Sequence, residues 1–277
     1  MIRVQASRAL ISVVLLTLAA CGQREPAEPE IESRSAQALF LEAEQELSEG
    51  RPVTAAGLFD EVERLYPYSE WAKRAMIMSA FSYLEARRFD QSRAAAERYL
   101  DFFPADSDAA YAQYLVALSH YDQIVDITRD QSTTFDALQA LRETIERYPE
   151  SDYTKSAELK FDLTLDLLAG KEMEVGRYYL KRGHYTAAIN RFRVVVQEFQ
   201  TTQHTPEALH RLVESYLALG LADEARTAGA ILGYNYQATE WYEDSYALLT
   251  EQGLEPGDAG QGWLSRIYRQ VIRGRWL

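Results

Sequence analysis

One thiol, four imidazoles and one glycine-rich run are the groups in this sequence that could do chemistry, and their spacing decides which of them can. The thiol is Cys21, the only cysteine in 277 residues, so no internal disulfide can use it. It follows Leu18-Ala19-Ala20, the end of an apolar run from Ala9 to Ala20 that is headed by Arg3 and Arg8. A cationic head, an apolar middle and small residues before a cut form the anatomy of an export signal. The run is about 12 residues, whereas a membrane-spanning helix needs ~20. The imidazoles are His120, His184, His204 and His210. No pair has the i, i+4 spacing of a helical zinc site, and no second cysteine can complete a ligand set. Gly257-Asp258-Ala259-Gly260-Gln261-Gly262 has the glycines of a phosphate loop but follows no strand and has the wrong spacing, so it reads as a linker. Neither a P-loop nor a G-x-S-x-G elbow occurs. The acidic pairs Glu42/Glu46 and Glu61/Glu63 read as solvated helix faces. No catalytic residue, metal or cofactor is expected, and the function predicted is binding.

Leu18-Ala19-Ala20-Cys21 resembles the lipobox of bacterial lipoproteins. The resemblance implies that residues 1–20 are a signal peptide and that Cys21 is acylated as the mature N-terminus. Stable anchoring needs more than one acyl chain, which a triacylated cysteine would supply. Gly22 stands where aspartate is associated with inner-membrane retention in such proteins. The expected address is therefore the outer membrane, lipid-anchored, with the body facing the periplasm.

The elements beyond the anchor begin with a tether. Residues 21–34, with Pro26, Pro29 and many charges, offer no apolar face to bury. Charge is unevenly placed further on. The last fifteen residues carry Arg266, Arg269, Arg273 and Arg275 and no acid. Setting aside those four and the two signal arginines leaves 23 basic residues against 42 acids, so residues 21–262 carry a formal charge of −19. Such a body repels nucleic acid, and no nucleic-acid partner is expected.

From Ser35 onward apolar residues recur at three- and four-residue steps, with no strand alternation, so the fold class expected is all-α. A repeat is visible. Gly50-Arg51 leads to Ala55, Phe59 and Tyr66-Pro67. Arg88-Phe89 leads to Ala96, Tyr99 and Phe103-Pro104, with Arg87 in the place of the glycine. Phe135 leads to Ala137, Leu141 and Tyr148-Pro149. Gly183 leads to Tyr185, Ala188, Phe192 and Phe199, with Gln200 in the place of the proline. Gly220 leads to Ala225, Leu232 and Tyr234-Asn235. These spacings resemble the tetratricopeptide repeat, in which glycine turns helix A into helix B, a small residue allows close approach and proline ends the unit. The prediction is a superhelix of about five such repeats. Residues 35–150 form an N-terminal half of about three repeats, and 151–252 a C-terminal half. Residues 253–277 form a linker and a basic amphipathic tail. Residues 122–134 add about ten residues inside repeat three, where a short turn would do. Residues 151–171 read as one long helix ahead of Met173–Arg182. Thr205-Pro206-Glu207 reads as a strong helix start, with Ser69-Glu70 and Ser151-Asp152 as weaker ones.

Leu65-Tyr66-Pro67-Tyr68-Ser69-Glu70-Trp71-Ala72, Tyr99-Leu100-Asp101-Phe102-Phe103-Pro104, Ile145 to Ser151 and Val175 to Phe192 resemble the BamD family of tetratricopeptide lipoproteins, over most of the mature chain. The resemblance implies a place in the Bam complex, which inserts β-barrels into the outer membrane. It implies BamA and other Bam subunits as partners, unfolded outer-membrane proteins as substrates, N-terminal repeats for substrate and C-terminal repeats for partners. Candidate substrate-groove residues are Met76, Ser79 and Tyr83 on helix A of repeat two, and Gln113, Tyr114 and Ala117 on repeat three. Candidate partner-docking residues are Tyr178, Tyr179, Arg182 and Arg191, because aromatics and arginine tend to carry interface energy. Trp263, Arg266, Arg269 and Arg273 extend that set into the tail. Partner docking is preferred for the tail over packing on the last repeat or contact with a membrane. The alternative function is another lipid-anchored periplasmic repeat scaffold, one that coordinates envelope constriction or cell-wall enzymes.

Overall fold

The computed structural model describes residues 34–125, 130–258 and 262–276. Cys21, the signal segment and the tether up to residue 33 lie outside them. The described residues hold twelve helices and no strand. Five hairpins follow one another: α1 (Ala36–Ser48) with α2 (Pro52–Leu65), α3 (Glu70–Glu85) with α4 (Phe89–Phe102), α5 (Ala109–Tyr121) with α6 (Ser132–Arg147), α7 (Thr154–Lys181) with α8 (Tyr185–Glu198), and α9 (Thr205–Ala218) with α10 (Ala222–Asn235). Then come α11 (Glu240–Glu251) and α12 (Trp263–Val271). No described helix is long and apolar enough to cross a membrane.

Two backbone signatures fix the repeat register. Gly50, Gly183 and Gly220 take left-handed φ values of 76°, 73° and 72° at their A-to-B turns, and Arg87 occupies the same place at 56°. The second signature is at the other end. Tyr66, Phe103, Tyr148, Phe199 and Tyr236 each cap a second helix with φ between −128° and −132°. A following proline favours that departure from helical backbone, with ψ between 52° and 55°, at the first three. Phe199 and Tyr236 depart from it without one. The fifth repeat therefore ends at Tyr236, two residues beyond the Tyr234 that the spacing picked out.

Ala55, Ala188 and Ala225 are fully buried, as are Phe59, Tyr99 and Phe192. The close approach at Phe192 needs a glycine opposite: a Cβ on Gly176 of α7 would lie 2.4 Å from the Phe192 ring. The core is a chain of three clusters. The first joins α1, α2 and α3, the second α3 to α7, and the third α6 to α12. Phe161 of α7 packs against both the second and the third. The expected connecting helix and the following one are a single helix of 28 residues, whose first part completes the N-terminal half and whose second part opens the C-terminal half.

Two helix starts differ from expectation. Thr205 does not cap α9. It is the first helical residue, and its hydroxyl donates to the Phe199 carbonyl at 3.1 Å, inside the preceding turn. The weaker candidate Ser69 is the working cap, accepting the Ala72 N–H at 3.1 Å.

Candidate functional site

A cleft of about 660 Å³ opens between the C-terminal ends of α2 and α4. Met76 of α3 lines it, with Pro67, Tyr68, Phe102 and Phe103 as its aromatic and apolar wall. Tyr68 is fully exposed and Phe102 is 64% exposed, unusual positions for rings of that size. The polar wall is Asp60, Glu63, Arg64 and Arg98. Arg98 grips Glu63 with two N–H donors at 2.8 and 2.9 Å, so its guanidinium is committed. Arg64 is 69% exposed, and among the described residues its ion pair is a long 3.4 Å contact with Glu61, leaving it the more available cation.

The proposed substrate-groove residues fall mostly inside the packing. Ser79 is fully buried and its hydroxyl donates to Asp60 at 2.5 Å; the Tyr83 hydroxyl donates to the other Asp60 oxygen at 2.7 Å. Burial and the Asp60 carboxylate push the Tyr83 hydroxyl up to about 12. These two side chains set the back wall of the cleft through Asp60 and do not face a free groove. Gln113 and Ala117 are buried within α5, and Tyr114 stacks on Tyr153 at 5.6 Å. The helix face assigned to the groove is thus the packed face, and of the six residues only Met76 reaches the cleft. The rings that do, Tyr68 and Phe102, carry a sequence signal: each lies within two residues of an aromatic C-cap, Tyr66 or Phe103, that packs half-buried against the core and leaves the second ring outward.

The first four partner-docking candidates do come together. On the last turns of α7, the Arg182 guanidinium lies 3.8 Å from the Tyr178 ring centroid, and Tyr178 meets Tyr179 edge-on at 5.6 Å. Tyr179 and Arg191 line a shallow pocket of about 330 Å³ with Ala187, Asn190 and Val194. Arg191 pairs with Glu172 at 3.1 Å. Tyr178, Arg182 and Arg191 are exposed.

The tail packs on its own body, which corrects the preference for partner docking of its apolar face. Leu264, Ile267, Val271 and Trp276 are buried in the third core cluster against α10. Trp263 lies under the Arg193 guanidinium at 5.1 Å and donates from Nε1 to the Tyr216 hydroxyl at 3.3 Å. An amphipathic helix this short is marginal by itself, and the exposed end of the last repeat offers the nearest apolar surface. The linker is strapped down as well: Arg226 Nε donates to the Glu255 carbonyl at 2.8 Å and Gly257 N–H to the Arg226 carbonyl at 3.2 Å. Arg266, Arg269 and Arg273 remain on the outer side, with Arg269 3.6 Å from Asp258. No cluster of His, Cys, Asp or Glu among the described residues could hold a metal ion.

Comparison with known proteins places this arrangement. The YfiO family, described as outer membrane lipoprotein, matches residues 32–231. An outer membrane protein assembly factor BamD from Caulobacter vibrioides is 41% identical over 261 residues, covering 92% of this chain and 86% of its own length. The protein of the same name from Rickettsia prowazekii is 43% identical over 195 residues, 70% of this chain and 78% of its own. One from Neisseria meningitidis is 30% identical over 241 residues, 82% and 90% of the two chains.

Proposed function

The chain belongs to the BamD family of outer membrane lipoproteins, and on that premise we propose that it is a non-enzymatic scaffold of the Bam complex, which binds BamA and unfolded outer-membrane proteins and promotes β-barrel insertion. It is held at the outer membrane, facing the periplasm, by lipid on Cys21. The observation that carries the substrate side is the cleft of Tyr68, Phe102, Phe103 and Met76, with Arg64 at its rim. Unfolded barrel strands alternate aromatic or aliphatic residues with polar ones, and exposed rings beside a committed ion pair suit such a segment. The partner side rests on Tyr178, Tyr179, Arg182 and Arg191, extended by the outer arginines of α12, Arg266, Arg269 and Arg273. These are the aromatic and guanidinium groups that carry interface energy.

Affinity purification from detergent-solubilised outer membrane tests the assignment. BamA is expected to co-purify, and recovery of cell-wall enzymes in its place would favour the alternative scaffold. A photo-crosslinking residue at Phe102 is expected to capture outer-membrane substrates, whereas one at Tyr234, exposed on α10, is not. Equal capture at both positions would overturn the cleft as the substrate site.

A further inference from the structure

We infer that the cleft of Tyr68, Phe102 and Phe103 is also the docking site of this chain's own tether, through Pro26-Ala27-Glu28-Pro29 and the acids around it. The tether joins the body beside that cleft. Residues 21–33 lie outside the described residues, and the chain enters them from Arg34. Ser35 caps α1, so Arg34 is already beyond the helix. The Tyr66 hydroxyl donates to the Arg34 carbonyl, and Tyr66 is the C-cap of α2. Pro67 and Tyr68 follow Tyr66 directly and line the cleft. At about 3.1 Å per residue, Pro29 can lie up to about 16 Å from Arg34 and Pro26 up to about 25 Å. Both prolines are therefore within reach of a cleft whose lip adjoins Tyr66.

The chemistry of the two surfaces matches. Prolines three apart share a face of a polyproline II helix, and segments of that kind dock in aromatic-lined grooves at small entropic cost. The cleft offers such a lining, and Tyr68 and Phe102 are exposed. The tether carries Glu25, Glu28, Glu30 and Glu32 against Arg24. The acids of the cleft are already engaged: Asp60 accepts from Ser79 and Tyr83, and Glu63 accepts from Arg98. Arg64 at the rim is the available cation, and a tether glutamate can accept a charge-assisted bond from it. A segment joined to the body in this way acts at an effective concentration on the order of millimolar. A barrel strand must then displace it, a consequence that rests on the substrate reading of the cleft. Displacement also lengthens the leash. With residues 26–30 docked, residues 22–25 span about 12 Å between Cys21 and the cleft, whereas residues 22–33 in full span about 37 Å.

The probe is a fluorescein-labelled peptide of residues 22–33, titrated by anisotropy against the full mature chain in detergent. The parent is compared with a tether variant, P26A with E28Q, P29A and E30Q, whose substitutions lie outside the described helices. The variant is expected to bind the peptide roughly tenfold more tightly, because the parent's own tether competes in cis. In the variant background, F102A is expected to weaken the peptide roughly tenfold and R64Q about twofold. Both side chains are exposed, so melting temperatures should match. A peptide with glycine for both prolines is expected to bind roughly tenfold more weakly. Equal binding to parent and tether variant, or binding that F102A leaves unchanged, would overturn the docking. A parent dimer in sedimentation that the tether variant loses would put the tether on a second copy and overturn the cis contact. A photo-crosslinking residue at Phe102 reads the substrate side separately, and its capture of substrate is expected to rise in the tether variant. Substrate capture with no peptide binding would sink the docking alone. Peptide binding with no substrate captured by either chain would sink the substrate reading alone.

Discussion

The two halves stack their hairpins with matching parts and present different faces. Each has an arginine fork that ties one repeat to the next: Arg98 of α4 to Glu63 of α2, and Arg177 of α7 to Glu207 of α9, at 2.6 to 2.9 Å. Each buries a phenylalanine completely at the same repeat position, Phe59 and Phe192. They part where a second helix ends. In the N-terminal half, aromatic caps followed by proline leave Tyr68 and Phe102 outside, around the cleft. In the C-terminal half, Phe199 is drawn into the core and Tyr236 is half-buried against it, with α11 and α12 closing the end. One repeat unit thus yields an open cleft in one place and a sealed terminus in another. What decides between them is the residue after the cap and the elements that follow.

The largest way to break this likeness is Phe192→Ala. It is expected to cost about 3–5 kcal/mol, read by urea denaturation, because the ring fills the space over Gly176 and no neighbour can replace it. The forks come next. Arg177→Ala is expected to cost about 1–2 kcal/mol, discounted for partial exposure, and Arg98→Ala less. Burial pushes the Glu207 carboxyl up, but the Arg177 donors and Arg211 outweigh it and hold it below the usual range. Its side chain is 13% exposed against 18% for Glu63, so losing its partner hurts more. Equal costs would show the two forks to be interchangeable.

Asp106 belongs to the N-terminal half alone. Lys73 first, then the Tyr99 hydroxyl and the Asp108 N–H, hold its carboxyl down to about 2. Tyr99 is fully buried and donates to it at 2.6 Å. Asp106→Asn is expected to cost about 1 kcal/mol at neutral pH. A carboxyl held below its unfolded value of about 4 stabilises the fold above that pH and stops doing so as pH falls toward 2. Melting curves of parent and variant should therefore converge across that window.

The smallest effect compares turns. Arg87→Gly is expected to raise stability by about 0.5 kcal/mol, since relief of the left-handed backbone is partly offset by glycine's unfolded-state entropy. Gly183→Arg, the reciprocal change, is expected to cost about 1 kcal/mol.

Most of the fold was legible because turns and caps are local. Arg87 could be read as standing in a glycine position, and Tyr66-Pro67, Phe103-Pro104 and Tyr148-Pro149 announce their own helix ends. Tyr236 could not be read that way, since tertiary packing and not a proline sets its backbone. Thr205 misled for a similar reason: its hydroxyl finds a carbonyl across the turn before it can serve the helix. The cleft was the least legible. α5 buries nine of its thirteen residues, so no polar stripe marks which side is free, and a buried serine such as Ser79 reads like an exposed one. The cleft is instead made by rings at helix ends, which periodicity does not score.

α7 is one uninterrupted rod threaded through both cores, and that makes its length a setting of the angle between the halves. Each residue added between Phe161 and Leu168 would rotate everything downstream by about 100° and push it along by about 1.5 Å. One insertion would swing the Tyr178–Arg182 face away from its present side of the molecule, and seven would return it to within about 20°. Insertions in the 122–131 connection carry no such gearing. Relatives should therefore vary freely in the connection and keep the rod's residue count fixed, or change it by whole heptads.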